Sequence, residues 1–272
     1  MFLIGMVLFL AGCEVSDNLG LSDKNGDKGD KTGIVTPPKY ENSAQSPEDE
    51  DKTGSDSGPV LHSQYFNEVK EVDGKLVIQN PDNILALVNK QYALPEDYAP
   101  ADLVRPNVPF SFGNEDYEKA YLRKEAAEKL EEMFAAARED GIELFAVSGY
   151  RSYQRQAQLF DIEVDKVGRE AAELVVAYPG NSEHQSGLAM DISGRSVGFT
   201  LVEEFADTPE GQWLAENAHK YGFILRYPKG KENITGYKYE PWHFRYVGEE
   251  VAAIIYEKGI TLEEYFEIVQ KI

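Results

Sequence analysis

Two short segments, residues 182–191 and 240–243, constrain this fold more than any other feature of the chain. The first reads Ser182-Glu183-His184-Gln185-Ser186-Gly187-Leu188-Ala189-Met190-Asp191, the second Glu240-Pro241-Trp242-His243. Together they hold two of the four histidines. They offer two imidazoles, one carboxylate ligand and one spare carboxylate. A hydrolytic zinc ion needs that set: three protein ligands, an open position for water and a base beside it. The fold must therefore bring segments some fifty positions apart onto one cation.

Local spacing shapes each half of the constellation. His184 and Asp191 stand too far apart for one helical turn, which suits a ligand in a loop and another on the strand it enters. Gly187 permits a tight turn between them. Leu188-Ala189-Met190 and Ile192 flank Asp191 and place its carboxylate inside an apolar strand. An unpaired buried carboxylate is costly, so either backbone donors or a metal ion must satisfy it. Pro241 excludes a helix interior and a central ladder position. Glu240 is then expected at the mouth of the strand carrying His243, where a base takes a proton from water and returns one to a leaving amine. Taken alone, His243 reads more readily as a histidine packed beside Trp242 than as a ligand. His62, near a loop start, and His219, next to Lys220 on a helix, lack comparable surroundings; His219 reads as surface.

A third segment, Ser148-Gly149-Tyr150-Arg151-Ser152-Tyr153 followed by Gln156, lies at a predicted strand-to-helix junction. A helix N-terminus favours anions, and the Arg151 fork suits a carboxylate. Gln156, one turn into the helix, offers an amide donor, and Ser182 a hydroxyl. The plainer readings are a solvated arginine beside a helix cap and a loop hydroxyl.

Composition sets the boundaries. Residues 14–60 are rich in Asp, Lys, Gly, Ser and Pro and poor in aromatics, so they read as a disordered acidic linker. As a random coil, about 45 such residues span on the order of 35–40 Å. Residues 1–13 carry an apolar run from Phe2 to Leu10 and end in Leu-Ala-Gly-Cys. A short apolar run closing on small residues is a secretory signal, not a membrane span. Its end resembles the bacterial lipobox, which would make Cys13, the single cysteine, a lipidation site. The segment departs from such signals in lacking an early Lys or Arg, and a start upstream of Met1 is one expectation that would account for it. The alternative is an ordinary secretory signal. A net charge of −21 argues against nucleic acid and anionic lipid surfaces as partners.

Residues 61–272 hold enough apolar sequence for one core. Structure is expected from Tyr65. Asp73-Gly74 marks a hairpin within 69–79. A short helix is expected over 83–89, an extended stretch over 94–100, and the longest helix over 115–140 with Gly141 as its cap. A strand follows over 142–147, then a helix over 153–167 capped by Ser152. Further strands are expected over 188–192, 223–227 and 243–247. Thr208-Pro209 opens a helix that ends at Gly222. The last helices cover 249–258 and the stretch after Thr261, where Glu264 completes a capping box. This mixture without regular βαβ alternation indicates an α+β fold.

The three motifs, SGYRSYxxQ, SEHQSGLAxD and EPWHxRYVG, in that order, resemble the zinc-dependent VanY-type D-alanyl-D-alanine carboxypeptidases and their L,D-carboxypeptidase relatives. The resemblance runs from about residue 80 to the C-terminus. It implies the compact α+β zinc-peptidase fold shared with the hedgehog signalling domain, an antiparallel sheet with flanking helices. It implies Zn2+ on His184, Asp191 and His243, Glu240 as catalytic acid/base, and Arg151, Gln156 and Ser182 on the substrate's terminal residue. The expected activity is removal of a C-terminal D-alanine from peptidoglycan stem peptides by a monomer, lipid-anchored through Cys13 outside the bacterial membrane and facing the cell wall. An endopeptidase cutting cross-links and a non-catalytic zinc-containing wall-binding or sensor lipoprotein are the alternatives.

Overall fold

The computed structural model describes residues 58–272. The expected signal segment with Cys13, and nearly all of the expected acidic linker, lie outside these residues. Chain pairing begins earlier than Tyr65: β1 (Val60–Leu61) runs parallel to β11 (Gln270–Lys271) and ties the two ends of the described domain together. The predicted hairpin forms from β2 (Val69–Val72) and β3 (Lys75–Ile78), and β4 (Tyr92–Ala93) adds in parallel. Asp73 and Gly74 both take positive φ, the conformation that a two-residue hairpin turn requires.

The stretch 83–89 is a run of turns, not a helix. Asn83 accepts from the Leu85 amide, and Asn89 accepts from the amides of Gln91 and Tyr92. These asparagine turns compete directly with helical bonding. Within 94–100, Pro95 and Tyr98 close a turn that interrupts the extended path.

The long helix, α1 (Lys124–Glu139), starts nine residues later than the expected boundary at 115. Leu122 and Arg123 instead form β6 (Leu122–Arg123) against β5 (Leu103–Val104), and the Arg123 amide donates to the Gly187 carbonyl. Tertiary pairing overrides helix propensity there. Gly141 does supply the left-handed turn after the helix. Helix α2 (Tyr153–Val167) starts where predicted, with Ser152 accepting from the Arg155 amide. A single-turn α3 (Arg169–Ala172) follows. Thr208 caps α4 (Pro209–Asn217), which tightens into a 3-10 turn before Gly222. After a short α5 (Glu232–Thr235), α6 (Glu249–Lys258) and α7 (Leu262–Ile268) close the chain, the latter with its capping box intact.

The site rests on one antiparallel sheet in the order β7-β8-β10-β9, made of β7 (Phe145–Ser148), β8 (Ala189–Ser193), β9 (Phe223–Leu225) and β10 (His243–Tyr246). Strand alternation divides its two faces. Met190 and Ile192 of β8 and Phe244 and Tyr246 of β10 join Leu130, Met133 and Phe134 of α1 in the main core. Asp191 and His243 therefore face the other way, and the register sets them directly opposite each other. A second cluster packs α6 and α7 against Leu85 and Ile224. His219 is half-buried, correcting the surface reading: its ring stacks on Tyr256 with centroids 3.6 Å apart.

Candidate metal centre and catalytic cleft

Three side chains arrive at one point from three backbone sources. Asp191 and His243 come from paired positions on β8 and β10. His184 comes from a 3-10 turn, Glu183–Ser186, closed by Gly187 with φ 66°. A Cβ on Gly187 would also lie 2.9 Å from Leu103 Cδ2, so the turn needs glycine for both conformation and space. The candidate ligand atoms of His184, Asp191 and His243 lie within 4.8 Å of one another, and all three residues are buried. His184 Nε2 is 3.4 Å from Asp191 Oδ2, and His243 Nδ1 is 3.0 Å from Asp191 Oδ1. The two rings stand nearly perpendicular, at 89°.

The outer nitrogen of each ring is fixed. His184 Nδ1 donates to the Gly149 carbonyl at 2.8 Å, leaving Nε2 turned toward Asp191 in the cluster. Gly149 sits so close to β6 that a Cβ there would meet the Tyr121 carbonyl at 2.5 Å. His243 Nε2 meets Glu183 Oε2 at 3.2 Å, leaving Nδ1 for the cluster. Two imidazoles, each with its outer nitrogen supported, and a buried carboxylate are a donor set that could hold a divalent transition-metal ion.

The charges tell the same story. Burial works against the Asp191 carboxylate, yet the two imidazoles hold it far below the usual carboxylate range. Burial pushes His184 down; it acts against charge on His243 as well, but the hydrogen bonds that ring donates to Asp191 and Glu183 outweigh burial and raise it. In the cation-free protein a proton on His243 thus balances the acidic groups. Glu240 sits just outside the cluster, as the proline in its segment predicts, with Oε2 3.9 Å from His243 Nδ1. Its side chain is 18% exposed. Burial raises it to about 7, against the pull of His243.

These groups line one end of a cleft of about 300 Å³, whose walls include Arg151, Gln156, Ser182, Tyr237 and Trp242. Arg151 Nη1 donates to Gln156 Oε1 at 3.0 Å and Nη2 donates to Ser148 Oγ at 3.1 Å. Gln156, fully buried, passes its own amide hydrogen to the Ala177 carbonyl at 2.7 Å. Its amide therefore braces Arg151. The Arg151 amide also donates to the His184 carbonyl, so the guanidinium and the imidazole share one local frame. A bulge between Ala146 and Ser148 on β7 turns the strand end toward this point. A larger cavity of about 490 Å³ beside Lys75, Lys90 and Tyr178 has Tyr237 in common with the cleft but contains none of the clustered ligands.

With this geometry in place, the comparison with known proteins is direct. The VanY family model, described as D-alanyl-D-alanine carboxypeptidase, matches residues 119–249. The putative carboxypeptidase YodJ of Bacillus subtilis (strain 168) is 56% identical over 255 residues, covering 93% of this chain and 92% of that protein. The chain belongs to the VanY carboxypeptidase family. The solved LdcB LD-carboxypeptidase matches with a TM-score of 0.76 and 62% identity, covering 78% of this chain and 99% of the other. A VanY D,D-pentapeptidase from a VanB-type resistance cassette, solved in complex with Zn(II), matches with a TM-score of 0.55 and 37% identity, covering 67% of this chain and 98% of the other. The α+β architecture is common to these neighbours.

Motif reading of this VanY-family chain misses one layer of the site. Glu183 is fully buried and accepts from Arg226 Nε and Arg245 Nη1, both at 2.7 Å. Arg226 also makes a two-pronged contact with Glu263 on α7. The signal is present in the sequence: arginines inside the apolar stretches Phe223-Ile224-Leu225-Arg226 and His243-Phe244-Arg245-Tyr246 need a buried acid.

Proposed function

We propose that the chain is a zinc carboxypeptidase that removes the terminal D-alanine from peptidoglycan stem peptides. The observation that carries this reading is the cleft itself, with three converging metal donors and Glu240 at one end and the braced Arg151 guanidinium in its wall. His184, Asp191 and His243 would hold the cation, which when bound supplies Lewis acidity and an acidified water. Glu240 takes the proton from the attacking water and delivers it to the leaving amine. Its value of about 7 in the cation-free protein suits a group that both accepts and donates near neutrality. Arg151 binds the free terminal carboxylate as a fork, so the cleft selects chain ends over internal bonds. Gln156 holds that fork in place, and Ser182 lines the same pocket.

Between the two bonds open to such an enzyme, the greater likeness to the LdcB LD-carboxypeptidase supports the L,D bond of the tetrapeptide. In the same proposal, residues 1–13 are a lipoprotein signal, Cys13 is its acylated end and 14–60 is a tether holding domain 61–272 near the cell wall. Among the described residues, no helix is long and apolar enough to cross a membrane. Mass spectrometry of purified stem tetrapeptide and pentapeptide after incubation with zinc-loaded protein tests the activity. Loss of one alanine from the tetrapeptide is expected. Intact tetrapeptide with a trimmed pentapeptide would reverse the bond assignment, and no release from either would remove the enzymatic reading.

A further inference from the structure

Glu183 has a division of labour that a plain buried ion pair does not need. Its Oε1 accepts from both Arg226 and Arg245, at 2.7 Å each. Its Oε2 meets His243 Nε2 at 3.2 Å. The side chains of Glu183, Arg226 and Arg245 are all 0% exposed. Each arginine is anchored in turn, Arg226 by Glu263 and Arg245 by the carbonyls of Ile84, Ala86 and Tyr246. The carboxylate therefore has little freedom to rotate or to seek another partner.

The consequence falls on His243. An imidazole offers two nitrogens, and the hydrogen bond at one decides which is left as a lone pair at the other. An ionised carboxylate only accepts, so Glu183 requires a proton on Nε2, and Nδ1, beside Asp191, is then the nitrogen whose lone pair a cation can take. His184 is arranged the opposite way, with Nδ1 held by the Gly149 carbonyl and Nε2 turned inward. Glu183 is also the residue immediately before His184, in the same 3-10 turn. One turn thus provides one ligand and the orienting group of another. We infer that Glu183 is the positioning residue of the metal centre: gripped by Arg226 and Arg245, it fixes the His243 ring so that Nδ1 faces the cation. The inference rests on the metallopeptidase reading above.

Glu183→Gln is the decisive variant because it keeps the shape and inverts the hydrogen-bond demand. With its carbonyl oxygen facing the two guanidiniums, the glutamine turns its NH2 toward His243 Nε2. That nitrogen must then accept, and the ring proton moves to Nδ1, where it opposes the cation. Zinc affinity, measured by competition with a chromophoric chelator, is expected to fall about 10- to 100-fold. Glu263→Gln, which disturbs the same ion network one step farther out, is expected to stay within about threefold of wild type in this assay while losing thermal stability. Equal zinc affinity in Glu183→Gln and wild type would overturn the inference, as would an equal loss in Glu263→Gln. If Glu183→Gln does not fold, nitrogen-15 NMR of the zinc-loaded wild type decides: the proton of His243 is expected on Nε2 and that of His184 on Nδ1. A proton on His243 Nδ1 would overturn the assignment. A wild type that takes up no zinc would remove the underlying reading, whereas a zinc-binding wild type matched by Glu183→Gln would remove this inference alone.

Discussion

Replacing Arg151 separates recognition of the chain end from the hydrolytic chemistry. A guanidinium has five N–H donors. Two contacts, to Gln156 Oε1 and Ser148 Oγ, hold it in place and leave other donors for a ligand in the cleft. A two-pronged charge-assisted contact in a half-buried site contributes about 3 kcal/mol. Arg151→Ala should therefore lower kcat/KM by about 150-fold on a tetrapeptide with a free carboxylate. On the corresponding C-terminal amide, which offers no carboxylate, the same variant should match wild type within about threefold. Arg151→Lys keeps the charge and loses the fork, so its loss should fall in between. The assay is alanine release quantified by mass spectrometry at several substrate concentrations. Equal losses on acid and amide would refute the carboxylate role and make Arg151 a support for His184, whose carbonyl its amide binds.

Three further outcomes follow from the same structure. Glu240→Gln should retain stoichiometric zinc and lose about 10²- to 10⁴-fold in kcat; near-normal turnover with metal in place would refute its acid/base role. Glu183 and Glu263 both lie below the ordinary value of 4.5, because Arg226, joined by Arg245 at Glu183, outweighs the burial that pushes each up. A folded-state pKa below the unfolded one means their stabilisation is complete above pH 4.5 and is lost as pH falls through the folded values. Below about pH 4.5, where the raised Glu240 carboxyl is protonated in both folded and unfolded chains, the urea midpoint in chelator should drop as pH falls, and a midpoint that holds or rises there would contradict the network's charge state. Leu130, fully buried in the main core, should cost about 3 kcal/mol as Leu130→Ala and lower Tm by about 6–12 °C; a shift under about 2 °C would mean that the core packs elsewhere.

The elements most legible in the sequence are those fixed by local chemistry. Ser152, Thr208 and Thr261 each announce a helix start, and each accepts the expected amide. Asp73-Gly74 and Gly141 likewise take the left-handed conformations that their positions require. The failures come from bonding that spacing does not report, local in the asparagine and Pro95–Tyr98 turns and distant in β6. Asn83 and Asn89 look helical by spacing but spend their side chains on turns and on residues far along the chain. Leu122 continues the apolar stripe of α1, yet it pairs with Val104. In the site, the motif spacing identifies three residues whose donor atoms do converge, and it places Glu240 at the strand mouth. Gln156, which its motif gives to the substrate, lines the cleft and also accepts from Arg151. Glu183 is missed because its importance lies in arginines about 43 and 62 positions away, a relation only the folded sheet reveals.

The central claim is that His184, Asp191 and His243 form a single cation site. Metal analysis of the unchelated native protein beside Asp191→Asn and His243→Ala tests it most directly. The account predicts close to one zinc per wild-type chain and little or none in either variant, with both variants folded by circular dichroism. A metal-free wild type, or full zinc retained in the variants, would contradict it.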